Sequence, residues 1–133
     1  MKSRLHRFCG APLRRVKAHG GVGTVRTRRA ERGELLGIRF VDLTIIPPGA
    51  SVGTHRHSTD NEEIYIAVSG EGRISLDGVE HPFTTGNVAI NRRGGQHGLV
   101  NTGSADLWMV VVEVGYEAPT SGRRRSQSRT RTD

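Results

Sequence analysis

Short apolar segments separated by glycine-rich turns make up most of the chain. Residues 38–46 are rich in β-branched and aromatic side chains, and Pro47-Pro48-Gly49 ends that segment. Asp77-Gly78, between two apolar runs, predicts a two-residue β-hairpin. About eight or nine short strands with turns every ~8–12 residues predict an antiparallel all-β sandwich or barrel. Besides 38–46, strands are predicted over residues 22–28, 52–57, 63–68, 73–76, 79–83, 88–91, 96–101 and 107–114, with a helical turn or a loop over 30–36.

The two ends of the chain differ from this strand-rich middle. Residues 1–19 are predicted to form a basic N-terminal arm, either a loose segment or a short amphipathic helix, and residues 20–116 form the barrel domain. Residues 117–133 are rich in Ser, Arg and Thr, which cannot bury a core, so a disordered tail is predicted. The net charge of +7 resides in the ends, because residues 1–32 carry +9, residues 33–115 carry −5 and residues 116–133 carry +3.

This distribution of charge and apolar residues limits the partners. A nucleic-acid-binding fold usually carries its basic patch on the folded domain, whereas here the domain is acidic and no DNA-reading helix is predicted. Sequence-specific nucleic-acid binding is therefore not expected. Cys9 is the single cysteine, which excludes an intrachain disulfide. The first residues lack the apolar run of a signal peptide, and no stretch approaches the ~18–20 apolar residues of a membrane span, so we expect a cytoplasmic protein without membrane contact.

Three histidines and a carboxylate stand on predicted strands in the middle of the chain. His55 and His57 are two residues apart, so they project from the same face of one strand, about 6.5–7 Å apart. Glu62 and Glu63 are adjacent on the next strand and face opposite ways, so only one of them can join the histidines. His97 comes from a third strand. Neutral imidazole and carboxylate together suit one divalent transition metal, such as Fe, Zn, Mn, Ni or Cu.

These segments resemble the two sequence motifs of the cupin superfamily in its small single-domain form. Residues 49–57 and 63–70 are similar to the first motif, Gly-x5-His-x-His followed by Glu-x6-Gly. Residues 86–101 are similar to the second motif, with Arg92 in place of its usual proline. The resemblance implies a double-stranded β-helix, which is a jelly-roll-like barrel, and a homodimer. Exposed sheet edges, including the strand over 22–28, also favour pairing between chains.

The spacing leaves two glutamates as candidates for the acidic metal ligand. Counting forward from His57 points to Glu62, whereas counting back from Gly70 points to Glu63. We favour Glu63, because the loop at 58–61 can absorb an extra residue readily. Three His and one Glu leave one or two coordination positions open, as in catalytic metal sites. The implied metal ligands are His55, His57, Glu63 and His97.

Other residues are candidates for contact with a substrate. Tyr65 lies two residues from Glu63 on the same face and is a candidate proton donor in catalysis. Arg39, Arg73 and Arg92 are candidates for binding a carboxylate or phosphate group. The remaining histidines, His6, His19 and His81, are interpreted as core or surface residues.

Cupins include many enzymes as well as binding and storage proteins, so the family alone does not fix the function. We expect a metal-dependent enzyme that acts on a polar or anionic small molecule by oxygenation, isomerisation or rearrangement. Residues 19–21, 23–26 and 94–97 also resemble the cupin domains of hydrazine-forming biosynthetic enzymes, which adds N–N bond formation in specialised biosynthesis as a narrower expectation. The alternative is a non-catalytic cupin that binds or senses a small molecule.

Overall fold

Ten strands follow one another along residues 2–115, the part of the chain that the computed structural model describes. The predicted tail over residues 117–133 lies outside the described residues. No helix in the described range is long and apolar enough to cross a membrane. In chain order the strands are β1 (Arg14–Val16), β2 (Val25–Leu35), β3 (Ile38–Ile46), β4 (Ser51–Arg56), β5 (Asn61–Ser69), β6 (Glu71–Leu76), β7 (Val79–Thr84), β8 (Val88–Asn91), β9 (Gln96–Val100) and β10 (Leu107–Gly115), with a 3-10 turn (Ala18–Gly20) after β1.

The strands form two antiparallel sheets around one core. The six-stranded sheet has the order β1-β2-β3-β10-β5-β8, and the four-stranded sheet has the order β4-β9-β6-β7. This arrangement confirms the predicted all-β, jelly-roll-like barrel. Burial of apolar surface between the sheets is the main force that holds them together. Buried side chains from both sheets contribute to the core, including Ile46, Ala67, Ile74, Phe83 and Met109.

Two turns show how the sequence sets the strand connections. Asp77 and Gly78 have positive φ angles of 53° and 86°, as a type I′ turn requires, so the predicted hairpin between β6 and β7 is confirmed. The helical turn or loop predicted over residues 30–36 is wrong, because β2 continues to Leu35 and pairs with β3. Two register shifts interrupt that pairing and disturb the period-2 alternation. The second half of β2 therefore lacks the regular alternation by which a strand is predicted from sequence.

The N-terminal arm packs on the outer side of the six-stranded sheet. β1 pairs with the beginning of β2. The ring of Phe8 lies 4.8 Å from that of Trp108, and the Arg28 guanidinium donates hydrogen bonds to the backbone carbonyls of Arg7 and Phe8. Where the sequence predicted a loose arm or a helix, residues 2–19 thus include a strand and side-chain anchors. Their partners are distant in the chain, so local sequence patterns do not reveal them.

The strands β5, β8 and β10 carry apolar side chains on both faces. Their inward residues, such as Tyr65 and Ala89, are buried in the core. Their outward residues remain accessible, with Val68, Val88 and Ile90 44%, 55% and 49% exposed. A continuous exposed apolar surface of this kind usually marks an interaction site. The outer apolar face consists of Ile64, Ile66, Val68, Val88, Ile90, Val110 and Val112.

Candidate metal centre

A β-bulge in β4 decides which side chains of this strand face the barrel interior. Val52 pairs with Leu99 and His55 pairs with His97, so two residues of β4 lie opposite one residue of β9. Val52 is buried in the core, and strict alternation from it would turn residues 54 and 56 inward. The extra residue shifts the alternation by one position. As a result His55 and His57 face inward, while residues 54 and 56 are exposed.

The structure brings the side chains of His55, His57, Glu63 and His97 together. One potential ligand atom from each residue lies within 4.8 Å of the others. Glu63 belongs to the opposite sheet, and its Oε1 lies 3.1 Å from Nε2 of His57 and 3.4 Å from Nε2 of His97. Glu63 and His97 are buried, only 8% and 1% exposed. This group, the His3Glu cluster, could hold a metal ion.

Hydrogen bonds fix the rings of two of these histidines. Nδ1 of His55 donates to the backbone carbonyl of Gly53 at 2.7 Å, and Nδ1 of His57 donates to Oδ1 of Asn61 at 2.8 Å. Because carbonyl oxygens only accept, Nδ1 carries the proton in both rings, and in the neutral form of each ring Nε2 keeps its lone pair. Across residues 2–115, these two Nε2 atoms and Oε1 of Glu63 are buried without a hydrogen-bond partner. Lone pairs converging in this way are suited to a cation.

The protonation states of the cluster also match a cation site. Burial lowers the pKa of His55 to about 4, although its hydrogen bond to Gly53 acts in the opposite direction. Burial alone would raise the pKa of Glu63, but the contact with His97 and the charges of the neighbouring histidines outweigh it and lower this pKa. Near neutral pH, His55 is therefore uncharged and Glu63 is ionised. Metal ligation requires these two states.

Tyr65 lies below the cluster, 3% exposed. Its hydroxyl lies within hydrogen-bond distance of Nε2 of His97, at 3.1 Å. Burial, together with the nearby Glu63 carboxylate, raises the pKa of Tyr65 well above its usual value. The phenol is therefore a neutral hydrogen-bond donor. Its predicted catalytic role stays a prediction.

The two candidate glutamates have different surroundings. Glu63 belongs to the His3Glu cluster, whereas Oε2 of Glu62 accepts a hydrogen bond from Nε of Arg92 at 2.7 Å. The Arg92 guanidinium lowers the pKa of Glu62, and the backbone N–H of Arg93 adds to this effect. Adjacent strand residues face opposite sides, so Glu62 is directed away from the histidines.

The structure does not bring the three candidate arginines together. Arg73 alternates with buried neighbours and faces outward, where it pairs with Glu80 at 3.2 Å. Arg39 lies 3.4 Å from Asp60 and 3.7 Å from a carboxylate oxygen of β10. Arg92 lines a groove together with Asn61, the residue that holds His57. Their predicted roles in substrate binding stay predictions, with Arg92 the one beside a residue that supports the cluster.

Charged side chains line part of the barrel interior, and the sequence did not predict them. The Arg29 guanidinium donates two hydrogen bonds to Asp42, at 2.8 and 2.9 Å, and lies 3.8 Å above the ring of Phe40. Glu113 pairs with Glu63 across adjacent strands, and burial together with the Glu63 charge raises the pKa of Glu113. Period-2 alternation along β2 and β3 is the signal that would place these side chains inward. It was not applied to Arg29, because the predicted strand ended at residue 28 and a helical turn or loop was expected from residue 30.

His19 was also missed. It was interpreted as a core or surface residue, but its ring stacks on His55 with centroids 3.5 Å apart and planes inclined by 9°. The two residues are far apart in the sequence, and a single histidine between a basic arm and a glycine pair gives no signal of this contact. The same holds for Asn61, whose role depends on the conformation of the loop that follows His57.

Comparison with known proteins assigns the family. The protein-family model of the cupin domain matches residues 42–113, from β3 to β10. This range contains the His3Glu cluster. The chain belongs to the cupin family. The segment with β1, the 3-10 turn and β2 lies before the matched range.

The chain is also similar to individual named proteins. The oxalate-binding protein of Thermotoga maritima is 39% identical over 67 residues, which are 50% of this chain and 54% of the relative. Protein SchB of Streptomyces halstedii is 29% identical over 80 residues, 60% of this chain and 56% of the relative. The chain thus spans about half the length of these curated relatives. A solved structure of a predicted oxalate decarboxylase from Thermotoga maritima is similar with a TM-score of 0.80 and 29% identity, over 85% of this chain and 100% of that one.

Proposed function

We propose that this cupin is a mononuclear metal-dependent enzyme. The His3Glu cluster binds one divalent transition metal, one of Fe, Zn, Mn, Ni or Cu. The observation that supports this proposal is the convergence of lone pairs from His55, His57 and Glu63 at buried atoms that lack hydrogen-bond partners anywhere in residues 2–115. Buried polar atoms of this kind are unfavourable unless a cation or a donor satisfies them. Imidazole and carboxylate donors suit first-row metals.

The chain's own residues hold the donor atoms in place. Gly53 and Asn61 accept the Nδ1 protons of the two β4 histidines. Such supporting bonds orient metal ligands and raise their basicity. Four protein donors leave room for a substrate at the metal, which supplies Lewis acidity or, with Fe, redox chemistry when bound.

The substrate in this proposal is a small polar or anionic molecule, and a dicarboxylate such as oxalate is the first to examine. The names of the similar Thermotoga maritima sequence and structure both refer to oxalate. Arg92 and Arg93 line the groove beside Asn61, and Arg29 lies on the inner wall with its charge close enough to act on Glu63 and Glu113. Guanidinium groups at these places favour a carboxylate ligand. Oxygenation, isomerisation, rearrangement and N–N bond formation stay predictions for the reaction.

A non-catalytic role is the second candidate. The name of the 39% identical relative describes binding and not turnover. In that case the same cluster would retain a small anion without converting it. Bound ligand recovered unchanged from the purified protein would favour this binding or sensor role over the enzyme.

The proposal includes a homodimer in the cytoplasm. The edge of β2 is covered at residues 25–27 by β1 of the same chain, so pairing between chains through that segment is less favourable than the sequence suggested. The outer apolar face on β5, β8 and β10 offers a larger surface, and a second copy would bury the exposed side chains of Val88 and Ile90.

The experiment that tests this proposal combines elemental analysis with an oxalate assay. We expect about one transition metal per chain in native protein and almost none in His57→Ala, because the variant loses a donor at the centre of the cluster. His81→Ala, which changes an exposed histidine on β7, is the matched control. Native protein that binds no metal in the presence of any of the five ions would overturn the metal-dependent function. Metal-loaded protein that binds oxalate without degrading it would support the binding role instead.

A further inference from the structure

His19 is an exposed residue that lies against the His3Glu cluster. It belongs to the 3-10 turn before β2, outside the matched cupin domain, and its ring lies parallel to that of His55 at 3.5 Å. His55 also contacts His97, whose ring meets it edge-on at 4.3 Å. His55 is therefore in contact with imidazoles of the cluster and with His19, which does not belong to the cluster.

The segment that carries His19 is closely fitted to β4. A Cβ atom at Gly21 would lie 2.2 Å from the carbonyl oxygen of Ser51, and a Cβ atom at Gly53 would lie 2.1 Å from that of His19. Two glycines thus allow the 3-10 turn and β4 to approach more closely than any other residues could. The backbone N–H of Ser51 donates to the carbonyl of Val22 at 2.9 Å, which fixes the following residues as well.

The backbone of His19 is also unusual. Its φ and ψ angles are 51° and 40°, in the left-handed region, which is uncommon for residues other than glycine although asparagine, aspartate and histidine adopt it more often than the rest. Such a conformation is unfavourable and persists only where the surroundings enforce it, and it is frequent at functional sites. Here the conformation directs the ring onto His55. A glycine at position 19 would relieve the backbone but would remove the contact.

We infer that His19 is a positioning residue of the metal centre, acting by stacking on His55. The hydrogen bond from Nδ1 to Gly53 fixes one edge of the His55 ring, and the stacked ring prevents the tilting and flipping that this single bond leaves possible. Nε2 of His55 is thereby kept directed into the cluster. The N-terminal segment that carries His19 thereby contributes to the metal site. This role rests on the proposed metal binding.

Two substitutions separate the ring from the backbone. His19→Asn removes the stacking ring but tolerates the left-handed conformation, whereas His19→Phe retains a flat ring without nitrogen atoms. With Co²⁺ alone as the probe, we expect His19→Asn to weaken binding by about tenfold and to alter the visible absorption of bound Co²⁺, as loss of a ligand-orienting contact does. His19→Phe should remain within about threefold of the native affinity. His81→Ala is the control.

A third substitution moves the segment without removing an imidazole. Gly21→Ala places a methyl group against the carbonyl of Ser51, so it should displace the 3-10 turn and weaken Co²⁺ binding in the same way as His19→Asn. An affinity and spectrum for His19→Asn equal to those of the native protein would overturn the inference. So would a His19→Phe variant as weak as His19→Asn, because stacking would then not be the contribution of His19.

Nuclear magnetic resonance of metal-free protein distinguishes a failure of this inference from a failure of the proposed function. The ring nitrogen signals of His55 should show one tautomer, with the proton on Nδ1, in native protein and in His19→Phe. In His19→Asn they should show averaging between ring orientations. If native protein binds no Co²⁺ but this difference appears, the metal-dependent function fails and the positioning of His55 stands. If Co²⁺ binds but all three proteins give the same His55 signals, the positioning role fails alone.

Discussion

Nε2 of His57 lies 3.1 Å from Oε1 of Glu63, and both atoms are buried. His57 donates its Nδ1 proton to Asn61, so the two facing atoms are both electron-rich. Two such atoms at this distance repel each other unless a cation, either a proton or a metal ion, lies between them. In this cupin the state of the contact between His57 and Glu63 therefore depends on whether a proton or a metal ion is bound there.

Glu63→Gln should weaken metal binding much more than Glu62→Gln. Glu63 faces the three histidines, whereas Glu62 is paired with Arg92 on the other side of β5. We expect a loss of about 100-fold for Glu63→Gln, the upper end of what even supporting residues contribute, and less than about threefold for Glu62→Gln. Titration with Zn²⁺ or Co²⁺ measures both. The reverse order would show that the wrong glutamate has been assigned.

Asn61→Ala should weaken metal binding by about 10- to 100-fold, because His57 loses the acceptor that fixes its ring. Asn61→Asp retains an acceptor oxygen at this position and should recover most of the affinity. The pair is compared by calorimetric titration with the same metal. Equal affinities for Asn61→Ala and native protein would mean that the ring of His57 is fixed by other contacts.

Metal-free protein should lose stability as the pH falls from 6.5 to about 4. The pKa of His55 is lowered from 6.5 to about 4 in the folded state, so in this interval the unfolded chain binds a proton that the folded chain does not. Protonation therefore favours unfolding. His55 is partly exposed, and solvent screening reduces the size of the effect. Urea unfolding at several pH values in the presence of a chelator measures it, and His55→Gln should show a flatter dependence over the same interval.

Arg92→Ala should reduce the affinity of metal-loaded protein for oxalate by about fivefold, as expected for one exposed charge. Arg92 lines the groove beside Asn61. Arg73→Ala is the matched control, since Arg73 faces outward on the other sheet and pairs with Glu80. Isothermal titration with oxalate compares the two variants. An unchanged affinity for Arg92→Ala would remove the main support for an anionic substrate at this groove.

Ile90→Lys should convert a dimer to a monomer, because it introduces a charge into the outer apolar face. Val79→Lys is the control. Val79 is similarly exposed, at 57%, but belongs to β7 in the other sheet. Light scattering coupled to size-exclusion chromatography gives the mass of each variant. A native protein of monomeric mass, or a dimer that Ile90→Lys does not affect, would contradict the proposed interface.

Much of this cupin was determined by short-range sequence features. β-Branched segments and turn residues such as Asp77-Gly78 set most of the strands, because backbone conformation and strand alternation are local properties. The spacing of His55, His57 and His97 was enough to name the candidate ligands. The extension of β2 was missed because its register shifts disturb the alternation on which the prediction depends.

Tertiary structure alone decided the rest. The bulge in β4, the opposite surroundings of Glu62 and Glu63, and the stacking of His19 on His55 all depend on elements that are distant in the chain. The sequence indicates which residues form a strand, but the hydrogen bonds to a partner strand determine which of its side chains face the core. For the same reason the sequence identifies the histidines, but only the packed barrel directs their lone pairs to one point.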